Sequence, residues 1–138
     1  MSFSVKSGKV KTVWLPVDAS GGAMPRGTLV TLTSGILQLA TSSTANTAIV
    51  GILDKAVTTA DDDYASARTL PVIVPLEKHV EYEGDVTSGL VAADIGLEQD
   101  LTDGVTVNRG ASSVDVAKCT KVLSATKGHF FLKINGSY

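Results

Sequence analysis

A chain of 138 residues with a formal net charge of -2 has the length of one ordinary domain and can bury a core without a covalent staple. Its single cysteine, Cys119, excludes an intrachain disulfide and the multi-cysteine metal frameworks, and no stretch reaches the roughly 18 apolar residues of a membrane helix. Charged residues make up only 19% of the chain against 43% hydrophobic, which predicts a polar surface built from Ser and Thr more than from ions.

The N-terminus lacks the apolar run and cleavage pattern of a signal peptide, so synthesis in a cytoplasm is expected. Residues 1–13 contain Lys6, Lys9 and Lys11 and no acid. They are too few to predict nucleic-acid binding, and the segment reads as an extended N-terminal arm ordered on assembly. A single β-rich domain is expected over residues 14–138. Trp14, Leu15 and Val17 anchor its start, residues 18–23 read as a loop with two adjacent glycines, and Pro25, Arg26 and Gly27 form a turn. Residues 28–33 and 36–40, separated by Ser34 and Gly35, read as a hairpin. Residues 48–56 form an apolar segment whose Gly51 suits a bulge or a close backbone crossing.

Residues 58–67 read as a polar connection. Residues 70–76 are β-branched and bracketed by Pro71 and Pro75, which places them near a sheet edge. Residues 77–83 continue in extended form, and 91–97 suit one or two helical turns with Asp94 near a start. Residues 105–107, 114–116, 119–123 and 129–134 are β-like. The sum is a mainly β fold of about seven to nine short strands with at most two helical turns, arranged as a small barrel or a β-sandwich.

The sharpest chemical candidate is the run Glu77, His79, Glu81 and Glu83, which on a strand would share one face. A histidine among carboxylates can ligate a divalent ion or move protons. Same-face neighbours are nearly 7 Å apart along a strand, so a tight site would need ligands from adjacent strands, and the reading favoured is a solvated or intersubunit face. His129 beside Phe130 and Phe131 reads as a boundary histidine. Cys119 reads as a small buried side chain, since no local pattern supplies it with a base. The triple aspartate at 61–63 lacks the alternating ligands of a calcium loop. Gly22 and Gly27 are spaced like a phosphate loop but lack its lysine. Asn135, Gly136 and Ser137 match a glycosylation acceptor by letters alone. No nucleophile elbow occurs, so no catalytic residue, metal or cofactor is assigned. Phe3, Trp14 and Tyr138 lie toward the termini and suit either the ends of a barrel or anchors for a partner.

Residues 25–40 and 48–53 form a turn, a hairpin and a glycine-containing apolar strand; residues 93–96, 100–108 and 128–135 look like the closing half of the same small fold. Together they resemble bacteriophage head-decoration, or capsid-cement, proteins, the group that includes the decoration protein of phage lambda. The resemblance implies a non-enzymatic homotrimer on the outer surface of an expanded phage head, stabilising contacts between major capsid proteins. It implies a virion location, the major capsid protein as partner, and no direct nucleic-acid, membrane or small-molecule ligand. The arm that would contact the shell maps to Phe3, Val5, Lys6, Lys9, Lys11, Val13 and Trp14. A different β-rich virion or adhesion module binding protein or glycan is the alternative, and a small metal-dependent enzyme built on Glu77, His79, Glu81 and Glu83 is more distant.

Overall fold

Alternating apolar and polar residues, interrupted by glycine turns, make the chain mainly β. A computed structural model describes residues 1–17, 22–44, 48–58 and 68–134. The strands are β1 (Ser4–Ser7), β2 (Val10–Pro16), β3 (Leu29–Thr33), β4 (Ile36–Leu39), β5 (Ile49–Leu53), β6 (Thr69–Pro75), β7 (Glu81–Val86), β8 (Glu98–Asp103), β9 (Thr106–Asn108), β10 (Ala117–Ser124) and β11 (Lys127–Leu132). One 3-10 turn, Ala92–Asp94, precedes β8. The mainly β expectation is met, with eleven strands among the described residues where seven to nine were expected.

Five strands close on themselves. β7, β11, β10, β8 and β9 follow one another, and β9 returns to pair in parallel with β7 through Asp85↔Thr106 and Val86↔Val107. β1 pairs with the other end of the same β7 edge, Ser4 opposite Glu83 and Val5 opposite Tyr82. Closure leaves few exposed edges. A second, antiparallel sheet runs in the order β2-β6-β5-β3-β4. Ser34 and Gly35 both have positive φ, 50° and 81°, which turns β3 into β4 with the twist a two-residue hairpin favours.

One bent ribbon joins the sheets. β1 and β2 run antiparallel to β7 and β6, and both strands cross the corner together at Gly8 and at residues 77–80. A side chain on Gly8 would strike Val80, and its φ of 104° suits glycine alone. Leu76 N–H also bonds Lys9 O across the corner at 2.8 Å.

The middle of the second sheet, at β5 and the centre of β6, is covered on both faces, which explains why β5 reads as an unbroken apolar run. Leu29, Ile49 and Ile52 join the barrel core of Tyr82, Leu101 and Phe130. Val30, Leu53 and Val72 face a separate cluster with Val17, Met24 and Leu37. Gly51 answers both readings of it. A side chain there would fall on Ile73 O, and the β3–β5 register slips beside it, between Val30 and Thr31.

Four expectations are corrected. The segment expected as an arm over residues 1–13 is extended, but it is woven into both sheets, and the boundary before Trp14 falls inside β2. Its alternating Phe3, Val5 and Val13 supply the core with apolar surface, which holds it down. β6 lies between β2 and β5 instead of near an edge, because Pro71 and Pro75 flank the Val72–Ile73 stretch that pairs with β5 and so remove no donor from that ladder. Residues 114–116 form a loop, bent by Asp115 at a φ of 60°. Glu77 and His79 lie in the corner before β7, so the four-residue face is cut to Glu81 and Glu83.

The loop expected at 18–23 lies mostly outside the described residues, as do most of the connection at 58–67, the aspartates at 61–63, the acceptor at 135–137 and Tyr138.

Candidate binding surfaces

The outward face of β7 carries Glu81, Glu83 and Asp85, and the facing positions of β11 carry Lys127 and His129. Their pairing makes an ion ladder across the barrel wall. His129 Nδ1 is 2.9 Å from Glu81 Oε1, and Nε2 is 3.5 Å from Glu83 Oε1. Thr120 donates its hydroxyl to Glu81 Oε2 at 3.1 Å. Lys6 and Lys127 pair with Glu83 and Asp85 at 3.8 and 3.9 Å. A neutral imidazole can donate to only one of its two carboxylates, and an imidazolium to both.

Glu81 and Glu83 therefore meet a histidine, as the sequence pattern suggested, but it is His129 of the neighbouring strand. His79 stacks at a tilt on Phe131, ring centroids 5.1 Å apart. Glu77 accepts the Lys9 backbone N–H at 3.2 Å. The sequence signal for His129 was its parity: it alternates with buried Phe130, which turns it outward opposite Glu83. Among the described residues no group of three or more His, Cys, Asp or Glu side chains can hold a metal ion. Cys119 is buried on β10. Burial pushes its thiol up, a backbone hydrogen bond at Lys121 opposes this, and the Asp94 charge adds to the rise, which disfavours the nucleophilic thiolate. Gly27 commits its N–H to Leu53 O at 2.7 Å, so that donor of the glycine-spaced loop is not open to a phosphate.

The seven residues read as an arm divide by face. Phe3 is buried, and Val5 and Val13 pack against the two core clusters. Lys6, Lys9, Lys11 and Trp14 face solvent. Trp14, 62% exposed, shares its face of β2 with Thr12, whose partner on β6 is Ile73. Ile73 lines a cleft of about 480 Å³ with Phe3, Val5 and Ile52, and Arg26 and Asp54 also line it. Arg26 and Asp54 pair at 2.9 Å. The hydrogen-bonded strand thus displays a large exposed aromatic side chain, a residue type enriched in protein contacts.

A second apolar surface surrounds the 3-10 turn. Val91, Ile95 and Leu97 are 47%, 50% and 54% exposed. Their backbone is fixed from within by buried Asp94, whose carboxylate accepts from Val91 N–H at 2.9 Å and Arg109 Nε at 2.8 Å. These two donors, the backbone one foremost, hold the Asp94 carboxyl below its usual range against the opposing effect of burial. Gly96 N–H and Leu97 O bond Cys119 of β10. The apolar ridge is therefore built; the sequence signal for 91–97, one or two helical turns, carries no information on which way the aliphatic side chains face.

Compared with protein-family models, with curated proteins and with solved structures, the chain matches none.

Proposed function

We propose that this protein is a non-enzymatic capsid decoration protein that binds the outer surface of an expanded phage head as a homotrimer and ties neighbouring major capsid proteins together. The observation that carries the reading is the exposure of large apolar side chains, Trp14 above all, on hydrogen-bonded backbone. Monomeric soluble proteins bury such groups or scatter them singly, whereas interfaces concentrate them.

The mechanism is repetition. A trimer offers the same modest contact three times, so after one copy engages, the others bind at high effective concentration. A closed barrel packed against a second sheet resists deformation, which lets a lattice push against it without unfolding it.

The test is sedimentation of purified protein with expanded heads and with unexpanded procapsids. Wild-type protein is expected to co-sediment with expanded heads, and Trp14→Ala to weaken binding at least tenfold with an unchanged thermal melt. No binding to either shell overturns the assignment. Retention on a glycan array in place of heads would favour an adhesion module.

A further inference from the structure

We infer that the ridge of Val91, Ile95 and Leu97 docks into an apolar pocket at the opposite end of β8 on a second copy of this chain, so that subunits join head to tail. The pocket, about 440 Å³, lies where β4 meets the β8–β9 hairpin, with Pro25, Leu39, Ala40 and Val105 among its apolar lining and Asp103 at the same site. Gly104 seats this hairpin on the second sheet: Leu29 N–H bonds Gly104 O at 2.7 Å, and Thr41 bridges to Asp103. Ridge and pocket are therefore both preformed, which lowers the entropic cost of joining them.

Two arguments make a second copy the occupant. The first is polarity. The ridge ends at Leu97, directly before β8, and the pocket begins at Thr102, near its end. The surfaces are thus roughly 17 Å apart along one strand. Two different surfaces on one chain give heterologous contacts, and a ring with threefold symmetry can be built only from heterologous contacts. The second is charge. Asp103 is exposed and has no cationic partner among the described residues. Beside the ridge Arg109 is paired with Asp94 and Lys133 with Glu98, which leaves Lys118, next to the Cys119 that holds the ridge, without a carboxylate partner among the described residues. The unpaired lysine beside the ridge thus matches the unpaired aspartate at the pocket.

This inference rests on the homotrimer of the proposed function, and the two can fail separately. Wild-type protein is expected to sediment at three times the monomer mass. Leu97→Asp on the ridge and Leu39→Asp in the pocket, both at exposed positions, are each expected to reduce it to monomer with the circular dichroism spectrum unchanged. The decisive sample is their equimolar mixture. One intact ridge and one intact pocket remain, so a one-to-one dimer should form that neither variant makes alone. A monomeric wild type, single variants that stay trimeric, or a mixture that stays monomeric each overturns the inference. Should either aspartate variant unfold, the paired variant Leu97→Cys with Leu39→Cys supplies the readout. Oxidation should link subunits covalently through these exposed thiols, since native Cys119 is buried, and failure to crosslink overturns the contact. Trimers that assemble this way but ignore phage heads would refute the decoration role alone.

Discussion

The ring of Phe3 lies on the bare Cα of Gly84, where any β-carbon would overlap its Cδ1 and Cε1 atoms. Gly84 faces Gly128 across the β7–β11 ladder, and a side chain on Gly128 would strike Leu90. The paired glycines thus hollow the barrel wall so that an aromatic ring from the N-terminal segment and a leucine from the loop after β7 can fill it. Phe3→Ala should cost about 3–5 kcal/mol and Gly84→Ala about 1–3 kcal/mol. The double variant should cost clearly less than the sum, because the new methyl occupies space the ring vacates. Urea denaturation of the four proteins measures the coupling, and strict additivity would contradict the contact.

Deletion of residues 1–13 removes β1, Phe3 and the first half of β2. The remaining chain loses a strand from each sheet and opens the barrel core at Gly84. It is expected to lose its cooperative thermal transition and its near-ultraviolet dichroism. A truncated chain that melts like the intact one would show that the segment is a dispensable arm after all.

Asp100 should govern the acid limb of stability. Burial pushes its carboxyl up, but the backbone N–H groups of Asp115, Ser113 and Val114 and the Ser113 hydroxyl outweigh burial and hold it at about 2. The contacts span 2.7 to 3.0 Å. The unfolded carboxyl titrates near ~3.9. A depressed folded value means the stabilisation is present above ~3.9 and is lost as pH falls from there toward 2. Its size is about 2–3 kcal/mol. Asp100→Asn should be less stable at neutral pH and show a flatter loss of stability across that window, measured by urea midpoints at a series of pH values.

The Glu81, His129 and Glu83 ladder is predicted to matter little for folding. Its side chains are partly solvated, 14% to 28% exposed, and such pairs contribute at most about 1 kcal/mol each. Glu81→Gln and His129→Asn should each shift stability within that range, less in high salt. Added zinc should leave the melting temperature unchanged. A zinc-dependent rise abolished by His129→Asn would revive the metal reading.

Several parts of this architecture were legible in the residues. Ser34 and Gly35 announced the β3–β4 hairpin because few side chains tolerate two consecutive positive φ angles. Gly51 announced a backbone crossing because glycine in an apolar strand otherwise only weakens it. Other parts were not. β8 begins Glu98-Gln-Asp100, and Gln99 and Asp100 are buried, so polarity hid a core strand. Asp100 is tolerated there because the loop at 113–115 brings it hydrogen-bond donors, a long-range arrangement with no local signature.

Alone, the sequence determined a mainly β chain with one hairpin fixed by its turn, no disulfide and no catalytic motif. These follow from local sterics and composition, which neighbouring residues settle among themselves. Only the tertiary structure decided that the N-terminal segment belongs to both sheets, that Glu81 meets His129 instead of His79, and that Trp14, Ile95 and Leu97 face outward. Those outcomes depend on which strands become neighbours. A two-residue period says that alternate side chains share a face, and only the closing of the barrel says which face is inside.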